Sequence, residues 1–519
     1  MADDVSTTAE RIRVAEVIAS LSLATDLGIG VPLEYGLEST LLAMRLADRL
    51  GVDTDTAFQT YYVCQLFYVG CTANADVAAD LFGADDALTT YATASRFGSR
   101  AQMLAGLLRA VAPPTGTRVV RARQLAHATP RLAKVFKHHI AAFCEVARML
   151  TDRLGIDPSV APLFAHVAER WDGLGLPGQV SGAEIPLPMR IVHVARDAVF
   201  QRMLGGAERA ASVVRSRAGH AFDPEVVAAF AAEPEGRSTG EARSTWGQAL
   251  ASEPMPHRLL HGDVIDTALA ALGDFCDLVS PYFVGHSTAV ADLAVGAGRL
   301  CAIRPADLTT IRRAALIHDL GRVAVPARVW QQPGPLAPDD WEKVRLHPYQ
   351  TERIFHRSAY LAALSAVAGA HHERLDGSGY HRGTAASGLT PLARLLAAAD
   401  AYRTKVEPRP HRNQLTAGQA AEALAGEVRA GRLDAVAVKA VLEAAGQRPP
   451  RLERPAGLTQ RETDVIVLLA RGLQTKQIAR TLGISAKTAD NHTQNAYAKI
   501  GVSTRAAATL FAMQHGLVS

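Results

Sequence analysis

Apolar residues recur at three- and four-residue spacing along most of this chain, as in IRRAALIHDL (311–320) and LTAGQAAEALAGEV (415–428). That period puts them on one face of an α-helix. Strand-like alternation is scarce, so the pattern predicts an all-α protein. The same pattern also repeats. GLESTLLAMRLADRLG (36–51) parallels GHSTAVADLAVGAGRL (285–300), and LFYVGCTA (66–73) parallels IHDLGRVA (317–324). AERWDGLGLPGQ (168–179) parallels HHERLDGSGYHRG (371–383), and IPLPMRIVHVARDA (185–198) parallels LTPLARLLAAADAY (389–402). The order is kept, so two copies of one helical domain are expected in tandem.

The length of 519 residues agrees with about three domains, since one core rarely grows past ~250–300 residues. The boundaries read from the sequence are 1–235 for the first copy, a linker at 236–255, the second copy at 256–446, a Pro-rich linker at 447–456 and a C-terminal domain at 457–519. An apolar content of 48% with 20% charged residues fits a globular chain. No apolar run reaches the ~20 residues of a bilayer span. The start, MADDVSTTAERIRVAEV, is acidic and has no basic-then-apolar order, so no secretory leader is expected. The five cysteines, Cys64, Cys71, Cys144, Cys276 and Cys301, form no CxxC pair and read as reduced thiols of a cytoplasmic protein. The net charge of +4 sits in the last segment: residues 457–519 hold seven Lys or Arg against three acids. A polyanionic partner suits that segment.

The chemistry is concentrated in the second copy. His286, His318, Asp319, His347, His371, His372 and Asp400 are a set of imidazole and carboxylate donors, suited to Fe, Mn or Zn and not to an all-sulfur site. Neighbours on a helix point ~100° apart, so the pairs His318–Asp319 and His371–His372 cannot both sit on a purely apolar face. The first copy has Val167 and Ala168 where the second has its histidine pair, and Phe67 and Tyr68 where it has His-Asp. By the same register Glu38 stands for His286 and Arg196 for Asp400, so the first copy reads as degenerate and without metals.

GHS, then HDLGR, a late HP, HHERLDGSGY and the Asp of AAAD resemble the HD-GYP phosphodiesterases, a branch of the HD phosphohydrolases, over roughly 280–415. The resemblance implies two divalent transition-metal ions, Fe or Mn rather than Zn. One would be held by His286, His318, Asp319 and Asp400; Asp319 would bridge to a second held by His347, His371 and His372. It also implies hydrolysis of a cyclic dinucleotide or a related phosphoester. Arg322, where the family usually has Lys, would hold phosphate, and Arg409 and Arg412 would meet the substrate. Tyr380 would either stack on a base or pack. Asp319 and Arg322 would be the catalytic pair. Three positions depart from the family: His381 replaces the Pro of GYP, His411 replaces a Tyr, and Tyr282 stands where relatives with a third metal carry Glu, hence the expectation of two. The alternative reading is a nucleotide-sensing domain that controls DNA binding without turnover.

From residue 458, LTQRETDVIVLLARG carries a Thr459/Glu462 capping box before an apolar stripe. Gly472, Gly483 and Ser485 then punctuate a short helix, a turn and a polar helix, which is a helix-turn-helix order. The segment resembles the LuxR-type DNA-binding domain. That resemblance implies a four-helix fold, a homodimer on DNA, base contacts from Asp490, Asn491 and Gln494, and phosphate contacts from Lys487 and Lys499.

Overall fold

Many helices begin where a short polar side chain accepts a hydrogen bond from the first turn. Asp53 accepts from the Thr56 amide, Thr390 from Ala393, Asp434 from Val436 and Ala437, and Ser485 from Thr488. The computed structural model describes residues 11–70, 95–112, 114, 117, 119–126, 145–175, 177–232, 244–448, 455–515 and 517–518. Cys71, Cys144, the linker residues 236–243 and the prolines at 449 and 450 lie outside them. Cys64 and Cys276 are buried free thiols, and Cys301 is a half-buried one. The regular elements of the described residues are helices apart from one two-stranded sheet, and none of these helices is long and apolar enough to cross a membrane. The chain packs as two units: Met1–Asp292 with Thr309–Gly369 and Pro408–Asn413, and Leu293–Leu308 with Ala370–Glu407 and Gln414–Ser519.

In the first unit, β1 (Arg11–Arg13) leads into α1 (Val14–Gly28), followed by α2 (Tyr35–Arg49), α3 (Thr54–Gln65), α4 (Arg100–Val111), α5 (Leu187–Ser216, broken at Gly205 and Gly206), α6 (Pro224–Ala231) and α7 (Thr245–Ala251). The second copy starts the same way, with β2 (Leu259–His261) leading into α8 (Asp263–Asp277). The two strands pair antiparallel, Ile12 opposite Leu260. The copies are thus joined at equivalent positions. α1 is buried along nearly its whole length and packs on the 3-10 turn Leu320–Ala324 and on α13 (His347–Phe355) of the second copy. Glu16 of α1 accepts from Ser358 Oγ (2.6 Å), and Glu34 pairs with Arg357 (2.5 Å).

The expected linker 236–255 is corrected over its second half. Ser244 caps α7, and Trp246 and Ala249 are buried. The Ala249 carbonyl accepts from Tyr61 (3.1 Å), and buried Glu253 accepts from Tyr62 (2.5 Å) and pairs with Arg13. The polar composition of the stretch hides one aromatic and one carboxylate that the first copy covers.

The second copy continues with α9 (His286–Leu300), α10 (Pro305–Ile317), α11 (Ala327–Trp330), α12 (Pro338–Arg345), α13, α14 (Ala359–Ala368), α15 (Pro391–Val406), α16 (Ala417–Arg429) and α17 (Ala435–Ala444). The C-terminal segment forms four helices, α18 (Gln460–Ala470), α19 (Thr475–Leu482), α20 (Ala486–Ile500) and α21 (Arg505–Gln514), around Val465, Ile466, Leu469, Ile478, Ala489 and Ala496.

Candidate metal centre and nucleic-acid interface

His318 and Asp319 directly follow α10, where the chain turns into the 3-10 segment. Gly321 is what lets α13 reach this turn: a Cβ there would stand 2.0 Å from the His347 carbonyl and 2.6 Å from the Thr351 amide. Thr351 Oγ1 locks the approach, accepting from the Gly321 amide (2.9 Å) and donating to the His318 carbonyl (3.0 Å). His347, at the start of α13, is thereby brought to Asp319. His286 is delivered from the other side: Asp277, at the end of α8, accepts from the amide (3.0 Å) and hydroxyl (2.9 Å) of Ser287 and so fixes the start of α9.

Asp319 therefore has imidazoles on both oxygens. His318 Nε2 (2.9 Å) and His286 Nε2 (3.3 Å) lie on Oδ2, and His347 Nε2 (3.2 Å) lies on Oδ1. The ligand atoms of His286, His318 and Asp319 are within 4.8 Å of one another, and all three residues are buried. The far nitrogens are engaged: Nδ1 of His318 lies 2.7 Å from the Ala315 carbonyl, and Nδ1 of His347 lies 2.6 Å from that of Val344. A backbone acceptor at Nδ1 leaves the Nε2 lone pair free to ligate, the usual support for a metal-bound histidine. Burial works against the Asp319 charge, but Arg322 (2.6 Å from Oδ2), His318 and the hydrogen bonds from His286 and His318 hold the carboxyl well below the usual carboxylate range. An ionised carboxylate facing imidazole nitrogens fits a divalent metal.

In the second unit, the rings of His371 and His372 are 4.2 Å apart, and His372 Nδ1 is 3.8 Å from Asp400 Oδ2. Asp400 also accepts from Thr404 (3.2 Å). Tyr380 packs its ring on His372, at 4.6 Å between centroids. Asp376 fixes the loop through the amide and hydroxyl of Ser378 (3.0 and 2.7 Å). Sequence reasoning passed over Glu373. Its buried carboxylate accepts from the amides of Arg382 and Thr384 (2.8 Å each) and closes the loop that carries the histidine pair. The signal was present, because the first copy keeps Glu169 at the same place.

Arg409 and Arg412, in the first unit, exchange backbone hydrogen bonds (3.0 and 3.1 Å) in a tight turn. Arg409 also donates to the Tyr282 carbonyl (2.8 Å).

The first copy reproduces this scaffold with other side chains. Glu169 accepts from Gly178 and Gln179 as Glu373 does from its loop, and Asp172 holds the Leu174 amide as Asp376 holds Ser378. A Cβ on Gly175 would meet Ala168 O, Arg170 N and Glu169 Cα at 2.6 Å; one on Gly379 would meet the equivalent His372, Arg374 and Glu373 atoms at 2.5 Å. Arg190 pairs with the α6 cap Asp223, as Arg394 does with the α17 cap Asp434, which sets Arg196 opposite Asp400. The expectation for Glu38 is corrected. Asp26 accepts from the Gly36 amide as Asp277 does from Ser287, so the residue in the His286 position is Tyr35. Glu38 lies three residues further along α2, half-buried and paired with Arg202 (2.5 Å). Arg196 is buried with its guanidinium over the rings of Tyr35 (4.8 Å), Phe67 (5.2 Å) and Tyr68 (4.6 Å), the positions of His286, His318 and Asp319. An internal cation in an aromatic cage stands where the second copy gathers ligands.

In the C-terminal segment the Thr459/Glu462 box forms as expected, and Gly483 and Gly501 end α19 and α20 in the left-handed conformation. Ala489, Thr493 and Ala496 face the core of α20, while Lys487, Asp490, Asn491 and Gln494 are exposed along one face. Lys499 is placed differently: its ammonium donates to Glu462 (2.7 Å) and to the Gly457 carbonyl (3.2 Å), tying α20 to the start of α18.

The sequence profile of the HD domain matches residues 119–226 and 271–436, which is more than half of the chain and falls on both repeats. The chain belongs to the HD-domain family. The profile of the bacterial regulatory proteins of the luxR family matches residues 456–512 of this HD protein. Among curated proteins it is 28% identical over 406 residues to the 3′3′-cGAMP-specific phosphodiesterase 3 of Vibrio cholerae, covering 77% of this chain and 87% of that one. Over 62 residues, 12% of this chain and 29% of the other, it is 44% identical to the transcriptional regulatory protein MctR of Rhizobium johnstonii. Its fold resembles that of a cyclic GMP-AMP specific phosphodiesterase of V. cholerae, with a TM-score of 0.55 and 22% identity over 85% of this chain and 99% of the other.

Proposed function

We propose that this HD protein is a bacterial transcription regulator whose second HD copy is a dimetal phosphodiesterase for a cyclic dinucleotide. The observation that carries the reading is Asp319, with imidazole nitrogens on each oxygen and its charge held by Arg322. By the family resemblance, His286, His318, Asp319 and Asp400 would hold one ion and His347, His371 and His372 would hold the other, with Asp319 shared between them. Fe or Mn suits these donors. Such a pair supplies Lewis acidity and a water of lowered pKa. The chain's own side chains do the rest: Arg322, Arg409 and Arg412 orient the phosphodiester and offset its charge, and Tyr380 offers its ring to a base. The family resemblance supports this set, and the V. cholerae relative directs attention to cyclic GMP-AMP before cyclic di-GMP.

The luxR-type segment reads DNA through Lys487, Asp490, Asn491 and Gln494 on the exposed face of α20, as a cytoplasmic homodimer. Lys499, tied to Glu462, serves this segment mainly as a brace. The fusion of this reader to the HD copies favours a second reading, in which nucleotide occupancy controls DNA binding without turnover.

The deciding experiment is hydrolysis of both dinucleotides by anaerobically purified protein loaded with Fe²⁺ or Mn²⁺, with bound metal counted. Turnover with two metals per chain is the expected result. Two metals without turnover would leave the sensor reading, and no metal would remove the site.

A further inference from the structure

The turn before His286 contains an aromatic that neither the ligand set nor the phosphate arm uses directly. Ser280 accepts from the Tyr282 amide and closes the 3-10 turn Pro281–Phe283, which buries Phe283. The Arg322 guanidinium lies over the Phe283 ring at 4.3 Å, and that of Arg409 at 5.0 Å. Trp330 meets Phe283 edge-on (5.2 Å), lies 5.7 Å from the Arg322 guanidinium, and donates from its indole to the Arg322 carbonyl (3.3 Å). The same turn supplies the Tyr282 carbonyl that accepts from Arg409.

Two cations from distant parts of the chain, 322 and 409, are therefore set on one ring. Like charges repel, and a π face is one surface that can attract both. A guanidinium is flat, weakly hydrated and able to stack while its fork stays directed at another group; an ammonium cannot do this. Here the fork of Arg322 reaches Asp319 while its plane meets Phe283.

We propose that Phe283 is a positioning residue: its ring pairs Arg322 with Arg409 as a phosphate-holding unit built for arginine and not for lysine. The proposal deepens the phosphodiesterase reading and rests on it for the role of the two arginines. Phe283 acts through them and need not touch substrate.

The test measures binding of inorganic phosphate to the metal-loaded full chain by calorimetry, together with kcat and KM for cyclic GMP-AMP. Phe283→Leu keeps an apolar side chain and removes the ring. It should weaken phosphate binding and raise KM by about tenfold, with kcat, bound metal and the unfolding midpoint little changed. Phe283→Tyr should restore both. Arg322→Lys keeps the charge and should also bind phosphate about tenfold more weakly; it decides the matter if Phe283→Leu does not fold. Unchanged phosphate affinity in Phe283→Leu would overturn the proposal, as would loss of affinity only together with loss of metal. So would a lysine at 322 that serves as well as arginine, or a wild type that binds no phosphate. Phosphate binding that depends on Phe283 in a protein hydrolysing neither dinucleotide would sink the substrate assignment and leave the role of Phe283 standing.

Discussion

The two HD copies share their helix starts, their capping acids and their loop hydrogen bonds, yet one gathers ligands where the other gathers rings. Asp26 and Asp277 do the same work, as do Glu169 and Glu373. What differs is the group in the middle. The second copy faces a buried carboxylate with imidazoles, a donor set that suits a divalent cation. The first encloses its own cation, Arg196, in Tyr35, Phe67 and Tyr68. On the proposed reading, both copies place positive charge at their centre, a metal in the second and the Arg196 side chain in the first.

The largest effect should come from Asp319→Ala. Without the bridge, turnover should fall by more than about a thousandfold and bound metal should drop, as read by anaerobic assay and metal analysis. Next comes removal of residues 1–235. α1 packs on the 3-10 turn after Asp319 and on α13, so the truncated protein should lose most of its metal as well as stability. Full metal content in that truncation would show that the copies are independent. Arg196→Met should lower the stability of the full chain by about 2–4 kcal/mol in denaturant titration and leave metals per chain unchanged. A gain of metal in this variant would break the comparison.

Just below neutral pH, the smallest effect concerns acid. Burial, with the Arg96 charge adding to it, pushes the His193 imidazole from 6.5 down to about 3. Between those values the unfolded chain takes up a proton there and the folded chain does not. The first copy should therefore lose stability as pH falls through that window, by at most about 1.4 kcal/mol per pH unit. The second copy has Ala397 at this register, so no imidazole titrates at that position. His193→Gln should flatten the acid limb of a midpoint-against-pH curve.

Much of the centre could be read from the chain because its donors come in adjacent pairs. His318–Asp319 and His371–His372 are marked by type and spacing, and the Thr459/Glu462 box announces its helix locally. The register at Tyr35 could not be read that way. An extra residue lies between Gly36 and the Ser39-Thr40 echo of Ser287-Thr288, and only the hydrogen bond from Gly36 to Asp26, ten residues back, shows where α2 starts. The LuxR-type resemblance implies Lys499 as a phosphate contact, but its pairing with Glu462, thirty-seven residues earlier, has no local signal. α7 looked like linker because its neighbours, Tyr61, Tyr62 and Arg13, are remote in sequence.

The sequence by itself determined the helices, the duplication, the ligand types and the DNA-reading segment, because period, capping and donor chemistry act over a few neighbouring residues. The tertiary structure alone decided that α1 buttresses the second copy's turn, that Arg196 is caged, and that Phe283 carries two arginines. Each of those depends on surfaces far apart in the chain meeting at a few ångströms, and no local pattern encodes that distance.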